Sequence, residues 1–272
     1  MNPGPAISVI AAVRDVGSAM GPTIDSLVCQ SFDGWELIVV DGGSADDTLA
    51  RLEPYRHRIA TLISEPDSGI AEAWNKGLRH CRGDWVLFLG AGDRLWDPDV
   101  FADMVPVLAS LPGDVRVCYG RVAVTDAAGH VTEMLGVPWE RARGGLALAM
   151  PIPHQGTFHR RSLFDDVGGF DQTVRIAVDY EFMLRELRWR PPVFADRVIA
   201  SFAEGGISTR PDKRLSVVTD YRRVRRKHGL PSAPGFLDAK ALIMVIMHAL
   251  LGRRFRRLRR LVRMGRRQAQ DG

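Results

Sequence analysis

Short apolar runs rich in β-branched residues alternate with amphipathic stretches along the first third of the chain. The runs predict four buried strands, which fall at 7–13, 36–40, 59–63 and 85–89. The amphipathic stretches predict helices between them, at about 22–30, 46–52 and 70–80. Strands and helices that alternate at this spacing are typical of an α/β fold, in which helices flank a mostly parallel, doubly wound sheet.

The second half of the chain has a less regular pattern. It predicts strands at 115–124 and 193–202 and helices at 144–153 and 174–188, without an internal repeat. A chain of 272 residues is long enough for one large α/β domain with an appendage. We therefore expect one domain over 1–230, with a first half at about 7–110 and a second half at about 111–230. A tail follows at 231–272.

The tail carries the basic character of the protein. The net charge is +5, and nine of the 37 lysines and arginines lie in 253–267, where no residue is acidic. The rest of the chain contains the other 28 basic side chains and all 32 acidic ones. The apolar run at 241–251 is too short to span a bilayer, which takes about 20 apolar residues. An apolar stripe runs through the basic stretch and consists of Leu251, Phe255, Leu258 and Val262.

A basic amphipathic helix of this kind predicts contact between 241–267 and an anionic membrane surface. Packing against the body of the protein or against a partner chain stays open as an alternative. Nucleic acid is not expected as a partner, because Phe255 is the single aromatic residue of the basic stretch and such surfaces rely on aromatic stacking.

The cysteines and the N-terminus predict the compartment. Cys29, Cys81 and Cys118 are scattered and lack a Cys-x-x-Cys spacing, so we expect buried reduced thiols. Residues 1–6 lack the basic region of a secretory signal and lead directly into a strand-like run. Both features favour a cytoplasmic protein, which the tail would hold peripherally at the inner face of the cell membrane.

Carboxylates and glycines follow the apolar runs, where the strands are expected to end. They form four motifs, which are Asp-Gly-Gly-Ser-Ala-Asp at 41–46, Glu-Pro-Asp-Ser-Gly at 65–69, Asn-Lys-Gly at 75–77 and Gly-Ala-Gly-Asp at 90–93. Open α/β sheets bind ligands just beyond the carboxyl ends of their strands. Acidic groups at that edge favour a metal-bound or hydroxyl-rich ligand such as a nucleotide sugar. The sequence has neither a P-loop nor a Gly-x-Gly-x-x-Gly pattern, which disfavours an NTPase or a dehydrogenase.

In their order and spacing, these motifs resemble those of the family 2 glycosyltransferases, which have the Rossmann-like GT-A fold. The resemblance runs from Ile7 to about Arg188. It is strongest to bacterial enzymes that build surface polysaccharides or glycolipids. It implies that the first half binds the nucleotide of a nucleoside-diphosphate sugar, of the UDP, GDP or dTDP type. It also implies that the second half binds the acceptor.

The resemblance implies substrate-binding roles for residues of the first half. The turn after the first strand would flank the base and ribose, with Asp15 in place of the family's asparagine and without the family's proline. Asp41 would hold the base. The other matched residues are Ala12, Ser44, Asp46, Asp67, Gly69, Asn75 and Lys76. Structural roles stay open for three of these, because Ser44 is a good N-cap, Asp46 suits a first helical turn and Lys76 suits a solvated helix face.

The metal motif departs from the family's pattern. Such enzymes carry an Asp-x-Asp or Asp-x-Asp-Asp cluster, whereas Gly90 and Gly92 here replace two of those aspartates and Asp93 remains. One carboxylate suffices for Mg²⁺ or Mn²⁺ when diphosphate oxygens and waters complete the coordination shell. We therefore expect a divalent cation that Asp93 binds together with the nucleotide. In the alternative, arginines neutralise the diphosphate without metal.

Two segments of the second half match the acceptor side of the family. The resemblance implies that His154, Gln155 and Arg175 lie near the acceptor or the leaving group. His154 would ligate metal or contact phosphate. The alternative for His154 is a core residue that packs at the turn of Pro153.

Asp179 falls on the position of the family's catalytic base, and Val178 replaces the glutamate that often precedes it. An inverting transfer needs a carboxylate that takes the proton of the acceptor hydroxyl as this hydroxyl attacks C1. The alternative for Asp179 is an ion pair with Arg175 or Arg185. Glu181 lies further round the predicted helix and is less suited to the same hydroxyl.

The sequence thus predicts an inverting, hexosyltransferase-type glycosyltransferase that moves a sugar from a nucleoside-diphosphate sugar to a hydroxyl acceptor. The expected acceptor is a lipid-linked glycan or a glycolipid of cell-envelope polysaccharide biosynthesis. Two other functions stay open. One is a nucleotidyltransferase, although 11–17 is a poor version of the basic Gly-rich loop of that class. The other is a non-catalytic scaffold that binds nucleotide sugars.

Overall fold

A computed structural model describes residues 4–203 and 214–232 of the chain. The chain divides into two compact units, Met1–Glu204 and Gly205–Gly272. The described strands are β1 (Ile7–Val13), β2 (Trp35–Asp41), β3 (Thr61–Ser64), β4 (Trp85–Phe88), β5 (Arg94–Leu95), β6 (Val117–Thr125), β7 (Val131–Leu135), β8 (Thr157–Arg160) and β9 (Val193–Ala203). The described helices are α1 (Met20–Val28), α2 (Thr48–Leu52), α3 (Ile70–Leu78), α4 (Val100–Ser110), α5 (Trp139–Ala142), α6 (Ser162–Val167), α7 (Val178–Leu187) and α8 (Arg214–Lys227).

Four strands of the first half form the parallel part of the sheet, in the order β3-β2-β1-β4. Every residue of β2 and β4 is buried. The reason is that helices cover both faces. Val9 and Leu37 belong to the same buried cluster as Ile24 of α1, whereas Ile38 packs with Ala73 of α3. A strand that is covered on both faces has a continuous apolar sequence, as these runs do.

Strands β8, β6 and β9 of the second half and the short β5 of the first half join the same sheet with mixed pairing, in the order β4-β8-β6-β9-β5. β8 is antiparallel to both β4 and β6, and β5 is antiparallel to β9. β9 is parallel to β6, while β7 pairs with β6 as an antiparallel hairpin. The α/β fold with helices flanking a sheet is therefore confirmed. Its parallel pairing is concentrated in the first half, and the antiparallel pairs all involve the short strands β5, β7 and β8.

The sheet brings several chain segments to one edge, which we call the site edge. The parallel strands β1 to β4 end there, at Val13, Asp41, Ser64 and Phe88. β8 begins at the same edge, because Phe158 pairs with Leu87 in the antiparallel direction. The loops that follow the strands of the first half therefore lie next to the turn that precedes β8.

The predicted helix at 144–153 is wrong. The chain forms the short helix α5 and a 3-10 turn at Arg143–Gly145, and it has no helix from there to Pro153. The sequence explains this, because Gly144 and Gly145 cost backbone entropy in a helix and Pro151 and Pro153 cannot continue one. The predicted helix at 174–188 is confirmed over Val178–Leu187.

The second unit contributes one described helix, α8, whose last turn carries Arg225, Arg226 and Lys227. None of the helices in the described ranges is both long and apolar enough to cross a bilayer. The tail expected at 231–272, including the membrane-binding stretch at 241–267, lies outside the described residues beyond 232. The domain boundary expected near 230 stays a prediction.

Candidate active site

Two loops at the site edge interlock through side chain to backbone hydrogen bonds. Asp15, after β1, has a φ of 50°, in the left-handed region where Asp and Asn are the most tolerated non-glycine residues. Its N–H donates to Ser44 Oγ over 2.8 Å, and its own Oδ1 accepts from the N–H of Ala45 over 2.8 Å. The next turn repeats the pattern, because Gly17 N–H donates to Asp46 Oδ2 over 3.0 Å. Residues Asp15, Ser44 and Asp46 are thus brought together.

Asp41 is fully buried at the centre of the second loop. Its carboxylate accepts hydrogen bonds from the N–H groups of Gly43 and Ser44, from the hydroxyl of Ser44 and, over 2.7 Å, from Ser64 Oγ. The N-cap role considered for Ser44 is therefore wrong, because its hydroxyl is bound to Asp41. Helix α2 begins at Thr48 after Asp47, which makes no side-chain cap bond.

Asp46 is exposed and orders the start of α2. Its Oδ1 accepts from the N–H of Thr48 over 2.9 Å. Hydrogen bonds from the hydroxyl and the N–H of Thr48 lower the pKa of Asp46 below its ordinary value. Asp46 is thus a stable anion at the site edge at neutral pH.

The loop at 65–69, which follows β3, packs against the loop after β2 at the positions of two glycines. A Cβ on Gly42 would lie 2.4 Å from Asp67 Oδ2, so the carboxylate of Asp67 occupies the space that a side chain would fill. Asp67 Oδ1 accepts from the N–H of Gly69 over 3.0 Å. Gly69 has a φ of 145° and precedes α3, with open space where its Cβ would be. This backbone is favourable for glycine and leaves room for a ligand.

Lys76 is buried, contrary to the alternative of a solvated helix face. Its Nζ donates to the carbonyl of Pro66 over 2.9 Å and pairs with Glu65 at 2.9 Å and Glu72 at 3.1 Å. Burial alone would lower the pKa of Lys76, but hydrogen bonds to Glu65 and Glu72 outweigh it and hold that pKa above its ordinary value. These three contacts match the three donors of an ammonium group, so Lys76 ties the loop at 65–69 to α3.

Asn75 reaches into the second half of the chain. Its Nδ2 donates to the carbonyl of Phe170 over 2.8 Å, and its Oδ1 accepts from the N–H of the same residue over 2.8 Å. A Cβ on Gly169 would lie 2.4 Å from Asn75 Oδ1. The side chain of Asn75 is therefore directed at the chain before α7.

Asp93 lies in a tight turn after β4. Its N–H donates to the carbonyl of Gly90 over 3.1 Å, and its Oδ2 accepts from the N–H of Gly90 over 2.7 Å. The N–H of Gly92, whose φ is 92°, donates to Thr23 Oγ1 over 2.9 Å, which fixes the turn to α1. Burial raises the pKa of Asp93 to about 7, although the hydrogen bond from Gly90 opposes this rise.

The surroundings of Asp93 fit a cation that is bound mainly by oxygens from a ligand. Within the described ranges, no three His, Cys, Asp or Glu side chains converge to form a metal site. Nor does Asp93 pair with any basic side chain there. A buried carboxylate without a cationic partner favours a cation, and a single carboxylate leaves most coordination positions to diphosphate oxygens and water.

Asp179 lies in the first turn of α7 and is half-buried. Burial raises the pKa of Asp179 to about 6, while the hydrogen bond of 2.7 Å from the N–H of Tyr180 to its Oδ1 lowers it. Arg185 pairs with Glu181 at 2.9 Å, and no ion pair within 4–203 involves Asp179. The ion pair considered as an alternative for Asp179 is therefore absent from this part of the chain.

His154 belongs to an aromatic cluster behind the site edge. The centroid of its ring lies 4.9 Å from that of Trp74 and 5.2 Å from that of Phe88, and His159 lies 5.5 Å away. Both ring nitrogens are buried without a hydrogen-bond partner in the described structure. Burial, reinforced by His159, holds the pKa of His154 well below its ordinary value. The surroundings are those of a neutral core histidine, which was the alternative considered.

The remaining predicted residues lie on both halves. Ala12 is half-buried in β1, beside the cluster of Ile38 and Ala73, and Gln155 is half-buried in the turn before β8. Arg175 is exposed and lines a cavity of 180 Å³ together with the start of α3 at Gly69. The fold therefore brings Gly69 and Arg175 together, although they lie far apart in sequence. No hydrogen bond or ion pair joins Asp93 to Asp179 within the described residues.

Residues outside the predicted set hold this site together. Thr48 Oγ1 accepts from the N–H groups of Val16 and Gly17, over 2.9 and 3.0 Å. Thr23 and Ser64 support Asp93 and Asp41, respectively. A hydroxyl at a loop or helix position carries no sequence signal that distinguishes it from a solvated one, because its partners come from distant segments.

Comparison with known proteins identifies the chain. The profile of Glycosyl transferase family 2 matches residues 8–168. An uncharacterised glycosyltransferase of Mycobacterium tuberculosis is 32% identical over 237 residues, which cover 84% of this chain and 86% of the relative. A "PGL/p-HBAD biosynthesis glycosyltransferase" of Mycobacterium bovis is 30% identical over 213 residues, which cover 75% of this chain and 79% of the relative.

Solved structures agree in fold. The mannosyltransferase PcManGT from Pyrobaculum calidifontis, in complex with GDP-Man and Mn²⁺, superposes with a TM-score of 0.65 at 19% identity. The match covers 92% of this chain and 77% of that one. TarS 1-349 of S. aureus in complex with UDP gives a TM-score of 0.58 at 20% identity and covers 91% and 72% of the two chains.

The fold and these likenesses define an enzyme of the glycosyltransferase class with the GT-A fold. The chain belongs to glycosyl transferase family 2. Two of its relatives are named for a biosynthetic role, namely PGL/p-HBAD biosynthesis in the Mycobacterium bovis protein and O-antigen biosynthesis in "O-antigen biosynthesis protein RfbC" of Myxococcus xanthus. The resemblance and the fold class predicted from the sequence are confirmed.

Proposed function

We propose that the protein is an inverting glycosyltransferase that moves a sugar from a nucleoside-diphosphate sugar to a hydroxyl group of a cell-envelope glycan or glycolipid. The observation that carries this proposal is Asp179, a half-buried carboxylate without an ion pair in the described residues, at the start of α7. A general base needs a pKa near the working pH, and burial brings the pKa of Asp179 to about 6.

In the proposed reaction, Asp179 accepts the proton of the acceptor hydroxyl. The hydroxyl oxygen forms a bond to C1 of the sugar while the bond between C1 and the diphosphate oxygen breaks. The nucleoside diphosphate leaves with the electron pair of that bond, on the face opposite the attack. The anomeric configuration is therefore inverted, and each turnover consumes one donor and one acceptor.

The donor is proposed to bind at the site edge, with its base and ribose at the interlocked loops of Asp15, Ser44 and Asp46. Asp41 supports this region from within, and Gly69 permits close approach beside Asp67. Structural neighbours are solved in complex with UDP, UDP-GlcNAc or GDP-Man, which supports a nucleotide sugar as the donor.

A divalent cation, Mg²⁺ or Mn²⁺, is proposed as cofactor, and Asp93 is the residue that would hold it. Such a cation would stabilise the negative charge on the departing diphosphate. The Mn²⁺ recorded with PcManGT supports this proposal. Asp93 itself contributes a buried carboxylate that forms no ion pair in 4–203 or 214–232, and the turn of Gly90 and Gly92 fixes its place.

The acceptor is proposed to be membrane-linked. Relatives named for PGL/p-HBAD and O-antigen biosynthesis support a lipid-linked glycan or glycolipid. The basic, apolar pattern of 241–267 supports a peripheral position on the inner face of the cell membrane.

The test is transfer or hydrolysis with labelled UDP-, GDP- and dTDP-sugars, with and without Mn²⁺. We expect release of a nucleoside diphosphate by the wild-type protein. The Asp179→Asn variant should bind the same nucleotide with unchanged affinity but turn over at least about 100-fold more slowly, because it lacks the base. Asp114→Asn, which changes an exposed carboxylate, serves as the matched control.

Three results would contradict the proposal. Wild-type turnover by Asp179→Asn would remove Asp179 as the base. Release of pyrophosphate from a nucleoside triphosphate and a sugar phosphate would identify a nucleotidyltransferase. Binding of a nucleotide sugar without turnover under any condition would identify a scaffold.

A further inference from the structure

The segment at 167–170, directly before the approach to α7, is held by side chains from two helices. Asn75 of α3 binds the backbone of Phe170 through both a donor and an acceptor, over 2.8 Å each. Arg185 of α7 donates from Nη1 to the carbonyl of Val167 over 2.7 Å and from Nη2 to that of Gly169 over 2.8 Å. We call this arrangement the Phe170 clamp, which consists of Asn75, Arg185 and residues 167–170.

The ring of Phe170 also contacts both helices. Its centroid lies 4.8 Å from that of Trp74 on α3 and 4.7 Å from that of Phe182 on α7. Phe170 is buried, so both contacts are made away from water. A contiguous path of packed and hydrogen-bonded groups therefore runs from α3, through Phe170, to α7.

The two helices carry different parts of the proposed reaction. Helix α3 begins at the loop of Asp67 and Gly69, where the donor is proposed to bind, and Lys76 ties this loop to it. Helix α7 begins with Asp179 in its first turn. The clamp contacts α7 through Phe182 in its middle and Arg185 in its last turn, where the buried Arg116 also donates from Nε to Glu186 Oε1 over 2.9 Å. The clamp thus holds the helix whose first turn carries the proposed base.

The fit at the clamp is tight. A Cβ on Gly169 would lie 2.4 Å from Asn75 Oδ1, well inside van der Waals contact. The two hydrogen bonds that Asn75 makes both go to the backbone of Phe170, which gives the residue a role in placing that segment. An amide suits this arrangement, since it offers a donor and an acceptor on the same planar group.

We propose that Asn75 is a positioning residue, which holds Phe170 against α3 and thereby sets the place of α7 and Asp179 relative to the nucleotide-binding half. The inference rests on the proposed function for its catalytic consequence. The mechanical part, the tie between α3 and the segment at 167–170, is independent of that function. A misplacement of the base by about 1 Å is enough to cost about 100-fold in rate.

Two variants loosen the clamp from opposite sides. Asn75→Ala removes both hydrogen bonds to Phe170. Gly169→Ala keeps Asn75 but places a methyl group where its Oδ1 lies. The matched control is Arg82→Gln, which removes the 2.8 Å hydrogen bond from Arg82 Nε to Glu36 just beyond the other end of α3. The control thus loses a salt bridge near α3 without touching the clamp.

The first measurement is hydrogen–deuterium exchange on the full-length protein. We expect both clamp variants to exchange at least about tenfold faster at 167–187, with unchanged exchange in α1 and β2. Arg82→Gln should leave 167–187 as in the wild type. Equal exchange in the wild type and both clamp variants, or a uniform increase throughout the chain, would overturn the proposal.

The second measurement is hydrolysis of UDP-GlcNAc and GDP-mannose, whichever the wild type accepts. We expect kcat to fall about 10- to 100-fold in both clamp variants at an unchanged KM for the donor. A raised KM with an unchanged kcat would make Asn75 a donor-binding residue and overturn the proposal. If the wild type hydrolyses neither donor, the proposed function fails for these sugars, while the exchange experiment still decides whether the clamp exists.

Discussion

Charged side chains at the site edge fall into two kinds. Lys76 and Asp41 are buried with their hydrogen-bonding positions filled by neighbours, so they stabilise the loops. Asp93 and Asp179 are carboxylates without ion pairs in the described part of the chain, and burial raises the pKa of both. Desolvation of an unpaired acid costs stability, and such a cost is typical of functional positions. The distinction supports the roles proposed for Asp93 and Asp179.

The raised pKa of Asp179 predicts the pH dependence of the reaction. A base acts only when it is ionised, so kcat/KM should fall tenfold per pH unit below about 6, whereas an ordinary aspartate would keep its activity down to about pH 4. The measurement is the pH profile of donor turnover at saturating Mn²⁺, over a range in which the protein stays folded. An acid limb near pH 4 would contradict the burial of this carboxylate.

At the scale of elements, α3 organises the site. Its start follows Gly69, its middle residue Asn75 binds Phe170, and Lys76 holds the preceding loop. The helix packs on the sheet through Gly77, where a Cβ would lie 2.7 Å from Ile10 Cγ2. One short helix therefore connects the sheet, the loop at 65–69 and the second half of the chain.

Replacing Lys76 with methionine tests this role. Lys76→Met keeps the apolar stem but loses the contacts with Pro66, Glu65 and Glu72, so the free energy of unfolding should fall by about 1–3 kcal/mol. Urea denaturation measures this. The control is Arg51→Met, which breaks an exposed pair with Asp47 and should cost less than about 0.5 kcal/mol. An unchanged stability together with a raised KM for the donor would instead make Lys76 a diphosphate ligand.

Strands that are covered on both faces could be predicted from the sequence, because burial leaves a continuous apolar run, as in β2. β5 and β8 could not, since two to four residues give no periodicity and their pairing depends on distant partners. Helix α4 was missed although it is 11 residues long, because Pro106 lies inside it. A proline ordinarily marks a break in a helix.

Which residues share the site edge was predicted better than which contacts they make. Motif spacing placed Asp15, Ser44 and Asp46 at the same edge, where the structure joins them. The bonds from Asn75 to Phe170 span 95 residues, and no local pattern encodes such a pairing. The burial of Lys76 could not be predicted either, because nothing in the sequence indicates that Glu65 and Glu72 form ion pairs with it.

At the scale of the whole molecule, the catalytic body and the basic tail are distinct in charge. The tail carries nine arginines in 253–267, whereas acidic residues outnumber basic ones in the remainder. Attraction to anionic lipids is additive and screened by salt. The proposed membrane contact would therefore depend on the tail rather than on the surface of the body.

Charge removal tests the tail without shortening the chain. Replacing Arg253, Arg256, Arg259 and Arg263 with glutamine should weaken sedimentation with vesicles of anionic phospholipid at least tenfold, since each arginine contributes about 1 kcal/mol. Binding by the wild type should fall as salt is raised, and vesicles of neutral lipid serve as the control. Full binding by the substituted protein would show that the tail is not the anchor.

The insertion of β8 between β4 and β6 has a consequence for how this enzyme can diversify. The strand belongs to the second half by sequence, yet its backbone completes the pairing of the last parallel strand of the first. The two halves share one sheet. Recombination between relatives at the midpoint of the chain would therefore pair β4 with a β8 strand from a different protein. New acceptor preferences should therefore arise by exchange of loops within an unbroken sheet, one surface segment at a time.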